Sequence, residues 1–249
     1  MSPKGRYKNH FISAFGFYAL GLLGVFITPL QAQVMLDETE VSIAQFDKFT
    51  KATGLVTYAE REGGMVFSAG WEVKPDWNFR TPYGIASNQD EPAVHITYDE
   101  ASAYCSWRGT RLPTRDEWIA VGYTEKRFNP PEPFEFGKTY PYPTGTSPQG
   151  ANCLGDCGTE QGNPIGKDDF SPYLTRGYGH ARTGTTGKGV NGLYEMGANV
   201  WEWASLGDGT MQATMGGSWW YGQTQMRADY GATKPRDIAA VYIGFRCVK

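Results

Sequence analysis

The sequence predicts a single α+β domain in which loops outweigh regular elements, and three observations carry that expectation. A glycine-punctuated stretch near the C-terminus, NGLYEMGANVWEWASL (residues 191–206) followed by MGGSWWYGQTQMRADY (residues 215–230), holds four of the eight tryptophans: Trp201, Trp203, Trp219 and Trp220. Aromatic side chains of this size dominate the energetics of a core and their indole N–H groups need partners, so the stretch reads as packed scaffold. Thirty-two glycines and 15 prolines among 249 residues mark many turns. Three Ser/Thr-to-Gln/Glu capping boxes mark three helix starts.

In chain order, the N-terminus stands apart. Lys4, Arg6 and Lys8 precede an apolar run over residues 11–27, and Leu30-Gln31-Ala32 places a small residue at the expected cut. This is the pattern of a secretory signal peptide over residues 1–32, with an uncleaved N-terminal anchor as its alternative. Residues 33–249 then form the domain, exported to the periplasm or beyond, with no further apolar span. VMLDETEVS (residues 34–42) alternates as a half-buried strand does. Ser42 and Gln45 open a helix over residues 43–52 whose apolar face holds Phe46 and Phe49, with Gly54 beyond its end. Residues 57–91 read as an irregular surface excursion. PAVHITY (residues 92–98) is a second strand, leading into a helix capped by Thr97 and Glu100 that carries Tyr104, Cys105 and Trp107 and stops before Gly109. Thr114 and Glu117 cap a third helix with Trp118 and Ile119. Residues 124–188 have no periodicity. The remainder reads as short strands and turns around the tryptophans, ending in YIGFRCVK (residues 242–249).

The formal charge of −3 comes without acidic or basic blocks, which excludes a nucleic-acid surface. Export permits disulfides, and Cys105, Cys153, Cys157 and Cys247 allow three pairings. Cys153 and Cys157 enclose three residues, which favours a local bridge and leaves Cys105 to Cys247. A tetrahedral zinc site would want clustered histidines or a second close cysteine pair beside Cys153 and Cys157, and with only His95 and His180 left after signal removal zinc is not expected.

Five blocks in order, LDETEVSIAQFDKFTKATG, HITYDEASAYCSWRGTRLPTRDEW, NGLYEMGANVWEW, GGSW and a terminal GFRC, closely resemble the formylglycine-generating enzyme (sulfatase-modifying factor) family. The resemblance implies that family's variant of the C-type lectin fold, with little regular secondary structure and a twisted antiparallel sheet. It implies a Cys105–Cys247 bridge, and a structural calcium held by the carboxylates of Glu195 and Glu202 and the backbone oxygens of Ala198 and Val200, hard donors that suit the ion. The plainer alternative leaves Glu195 solvated and pairs Glu202 with a buried arginine such as Arg246.

At the catalytic centre this chain departs from the family. The oxidase holds copper with two cysteines after its GGS block, and a soft cuprous ion needs thiolates. Counted from Ser218, which matches the family's serine, those positions are Tyr221 and Met226. Copper and formylglycine generation are therefore not expected. What remains is Ser218, Trp219, Trp220, Tyr221, Gln223, Gln225, Arg227 and Asp229, a set suited to holding a peptide or a small polar ligand. If Trp219 and Trp220 alternate along a strand, one is core and one faces the cleft. The expectation is a binding or accessory module. The alternative is a cysteine-free oxidoreductase-type enzyme of the superfamily, like the pyoverdine-maturation protein, with Ser218, Tyr221, Asp229 or Glu202 as catalytic candidates. A diversified ligand-binding protein of the retroelement type fits less well, since residues 219–243 contain no Asn.

Overall fold

The helix starts form where the capping chemistry places them. In the computed structural model, which describes residues 34–67, 70–154, 157 and 179–249, helix α1 (Ile43–Thr53) begins after Ser42, whose hydroxyl accepts from the Gln45 N–H while the Gln45 side chain accepts from the Ser42 N–H. Gly54 closes it in the left-handed region at φ 70°. Helices α3 (Tyr98–Trp107) and α4 (Arg115–Tyr123) carry the reciprocal boxes of Thr97 with Glu100 and Thr114 with Glu117. A fourth helix, α2 (Tyr58–Glu62), has a box of its own from Thr57 and Glu60. It sits in the stretch expected to be irregular: at five residues it is too short to show apolar periodicity. The signal-peptide expectation, and residues 155, 156 and 158–178 of the stretch expected to be loop at 124–188, lie outside the described residues.

The sheet order is β5-β4-β3-β6, with β3 (Trp201–Ala204), β4 (Met211–Met215), β5 (Ala232–Pro235) and β6 (Ile243–Gly244). β3–β4 and β4–β5 are antiparallel, but β6 runs parallel to β3, with Trp201 opposite Ile243. The expected antiparallel sheet is found in β3, β4 and β5, and the C-terminal segment crosses back to add β6 parallel to β3. Gly244 is needed there, since a Cβ would come within 3.0 Å of the Ala93 carbonyl. A two-stranded hairpin, β1 (Gly64–Phe67) and β2 (Trp71–Lys74), packs separately and is held to the body by Met65 N–H donating to Ala239 and Val241 N–H donating to Met65. The strands expected at 34–42 and 92–98 exist only as isolated bridges, Leu36 to Val248 and Ser42 to Pro92. His95 at φ 58° breaks the second of these runs.

Residues Val34–Lys249 form one compact unit. Its core gathers Phe46 and Phe49 of α1, Phe79 from the segment after β2, Tyr104 of α3 and Phe245 near the C-terminus, with edge-on contacts such as Phe46–Phe79 at 4.9 Å. Cys105–Cys247 ties α3 to the C-terminal segment and Cys153–Cys157 closes a local loop. Among the described residues no helix is long and apolar enough to cross a membrane.

Candidate functional site: an aromatic face beside a buried acid–arginine knot

β4 ends at Met215 and the chain turns through Gly216 and Gly217, at φ 88° and 83°. A Cβ on Gly216 would lie 2.5 Å from the Met196 carbonyl, so only glycine makes this turn. Ser218 follows, fully buried, its Oγ accepting from the Trp220 N–H at 3.3 Å. The two tryptophans sit on a turn and not on a strand, and still divide: Trp219 is buried and Trp220 partly exposed, their ring centroids 5.1 Å apart.

Tyr221, also half-exposed, packs edge-on to Trp201 at 5.5 Å and to Tyr242 at 6.0 Å, while Tyr242 also meets Trp220 at 6.3 Å and Trp71 of β2 at 6.2 Å. Burial raises the Tyr221 phenol above its ordinary range, so it stays protonated at neutral pH. Beneath this face the indole N–H groups of Trp201 and Trp219 are buried and have no hydrogen-bond partner among the described residues. An unmatched buried donor is costly, by about 1–3 kcal/mol, and water or a ligand acceptor relieves it.

The polar candidates lie to one side. Gln223 accepts from the Tyr142 hydroxyl at 3.0 Å, and the Arg227 guanidinium stands 6.0 Å from the Tyr142 ring centroid. Arg227 pairs with Asp229 at 3.0 Å, and that pairing holds the Asp229 carboxyl below the usual range, which makes it a poor proton acceptor. Gln225 is half-buried on the same short turn. Met226, at the second copper-cysteine position, is fully buried with its sulfur 3.5 Å from Cys157 Sγ. The spacing of residues gave no signal for this thioether–disulfide contact, because it depends on how the loop at 151–157 folds onto the turn.

Glu202 and Arg246 form the centre of a second assembly. Arg246 is fully buried and reaches Glu202 with Nε and Nη2 at 2.7–2.9 Å, while its Nη1 and Nη2 also donate to the carbonyls of Asp37, Glu38 and Tyr194. Trp118 Nε1 donates to Glu202 at 2.7 Å. Glu195 is not solvated: it is buried and accepts from the backbone N–H groups of 184, 185 and 186 and from the Thr186 hydroxyl. Glu40, which no motif singled out, is buried with them and accepts from Asn199 Nδ2 and the Val200 N–H. Burial, then the charges of Glu195 and Glu202, push the Glu40 carboxyl well above its ordinary range, and burial likewise raises Glu195. The backbone at Glu195, Ala198 and Asn199 is left-handed, φ 52°, 61° and 55°, which folds the segment tightly around the acids.

His180 also lies away from the face. Its Nε2 is 2.8 Å from Glu91 and its Nδ1 3.0 Å from the Tyr83 hydroxyl, all buried, with the Tyr83 ring 6.2 Å from Trp219.

Fold and sites together define a family, and residues 29–249 match the sulfatase-modifying factor enzyme 1-like domain, so the chain belongs to it. Its relatives include the formylglycine-generating enzyme of Thermomonospora curvata, 27% identical over 86% of this chain and 80% of that protein. The inactive C-alpha-formylglycine-generating enzyme 2 of Mus musculus is 28% identical over 71% of this chain, which spans 56% of that relative's length. Among solved structures, PvdO from Pseudomonas aeruginosa superposes with a TM-score of 0.53 at 17% identity, over 86% of this chain and 79% of its own, a likeness of fold.

Proposed function

We propose that this chain is an exported binding module, in which the aromatic face of Trp220 and Tyr221 takes a peptide or a small polar ligand where the oxidase of the family holds copper. The observation that carries this reading is the pair of unmatched buried indole N–H groups beneath two half-exposed aromatic rings. A ligand carbonyl meets that need, and the rings supply flat apolar contact. Tyr221 and the buried thioether of Met226 lack the thiolate pair a cuprous ion requires. Similarity to a relative named inactive supports the same direction. The two disulfides suit an oxidising compartment, and N-terminal sequencing of the secreted form should begin near residue 33.

The test is selection from a random peptide display library. Peptides recovered on the wild-type protein should lose at least about tenfold in affinity on Trp220→Ala, the usual effect of removing an interface tryptophan. Selected peptides that bind the Trp220→Ala protein equally well would sink the assignment. An oxidoreductase-type reading is supported by similarity to a relative named as an enzyme and by the buried Glu91–His180–Tyr83 chain beside Trp219, in which His180 or Glu91 can accept the Tyr83 phenolic proton. Oxygen consumption dependent on Tyr83 would favour it.

Calcium at Glu195, Ala198, Val200 and Glu202 is proposed as a structural ion. Glu195 and Glu202 place two buried carboxylates on the segment 195–202, hard oxygen donors of the kind the ion takes. The ion would share oxygens already bonded to protein donors. Calcium should therefore raise the melting temperature of chelator-treated protein, and an unchanged melting temperature at millimolar calcium refutes the site.

A further inference from the structure

A second concavity lies beyond the aromatic face, between the β1–β2 hairpin, the start of α2 and the end of β5. It is an open cleft of about 470 Å³ lined by Tyr58, Met65, Trp71, Lys234, Pro235, Asp237 and Ile238. Trp71 is 47% exposed on its wall, and its ring continues the Tyr242–Trp220 stack. The hairpin register sets Met65 opposite Val73 and Phe67 opposite Trp71, and the Met65 backbone bonds to residues 239 and 241 keep that wall in place.

Two charged residues line this cleft, and they differ in environment. Lys234, opposite Gln212 in the β4–β5 pairing, is half-buried, and among the described residues no carboxylate pairs with it. Burial alone pulls its ammonium below the ordinary lysine range. Asp237 is exposed at the rim, where water screens it. Of the cations near the sheet, Arg236 is already paired with Asp99 and Arg227 with Asp229. Lys234 is thus a partly desolvated positive charge beside an indole, a methionine and an isoleucine, and an anion with an apolar body satisfies both parts.

We propose that this cleft is a binding site for carboxylates carrying an aromatic or aliphatic body, the carboxylate against Lys234 and the body against Trp71, Met65 and Ile238. The site does not depend on the Trp220–Tyr221 reading, although it adjoins that face.

The probes are 3-phenylpropionate and its neutral amide, titrated into the disulfide-intact mature chain and followed by calorimetry and Trp71 fluorescence. The acid should bind about tenfold more tightly than the amide, the scale of one charge-assisted hydrogen bond. Lys234→Gln should abolish that preference, weakening the acid about tenfold while leaving the amide unchanged. Trp71→Ala should weaken both, and Asp237→Asn should leave the acid unchanged or tighten it up to about twofold. Both replaced side chains at 234 and 71 are partly solvated, and an unchanged melting temperature checks that the variants fold. Equal binding of acid and amide, no binding of either at millimolar concentration, or full retention of the acid preference in Lys234→Gln would each overturn the proposal. Trp220→Ala separates the two sites: it should leave 3-phenylpropionate binding intact while removing the display-selected peptides.

Discussion

The two halves of the C-terminal segment handle buried polarity in opposite ways. In the knot, Arg246 has every nitrogen bonded and Glu202 takes donors on both oxygens. On the aromatic face, a few residues away in sequence, Trp201 and Trp219 keep buried N–H groups unmatched while Trp220 and Tyr221 stay half-exposed. A satisfied network rigidifies a scaffold, whereas unmet donors under open aromatic surface mark a place where something else completes the structure. The same Trp-rich motif thus supplies both the frame and the surface.

Mutation should separate them sharply. Arg246→Met leaves buried carboxylates without their cation and should lower stability by about 3–5 kcal/mol, or prevent folding altogether, as urea unfolding will show. Replacing Cys105 and Cys247 together with serine should remove about 2–5 kcal/mol, because that bridge spans 142 residues. The bridge of Cys153 to Cys157, at a sequence separation of 4, should contribute about 2 kcal/mol by the same entropy argument.

Acid should act on the frame through His95. Its ring is fully buried between the carbonyls of Ala239 and Pro82, and burial, opposed by those two carbonyls, draws its pKa down to about 4. A folded-state value below the unfolded one means stability is fully present above about 6.5 and is lost as pH falls through 4. The loss from this group should approach about 3 kcal/mol. Unfolding midpoints at pH 7.5 and 4.5 should differ less in His95→Asn than in wild type; an equal difference would remove His95 as the cause. The last effect belongs to the face: Trp220→Ala should cost less stability than Arg246→Met while weakening ligand binding at least about tenfold, since the ring is only partly buried against the core.

Much of this was legible in the residues. Capping boxes at Ser42, Thr97 and Thr114 located three helices because that chemistry is local. The family blocks gave the fold, and one tryptophan of the pair is core and the other partly exposed as expected, although Trp219 and Trp220 lie on a turn and not on an alternating strand. What stayed hidden depends on long-range return of the chain. The parallel placement of β6 on β3, the entry of Glu40 into the acid cluster, the Met226–Cys157 sulfur contact and the Trp71–Lys234 cleft each join segments far apart in sequence. The plainer alternative to calcium left Glu195 solvated, yet the turn at 184–186 wraps its carboxylate in N–H donors.

The most direct measurement is native mass spectrometry of the mature protein during titration with copper(I), with oxygen uptake followed in the presence of a cysteine-containing peptide. A family scaffold whose copper centre has given way to a recognition surface should retain no tight copper and leave the peptide thiol unoxidised. One tightly held copper per chain, with oxygen consumed and the peptide cysteine converted, would contradict it.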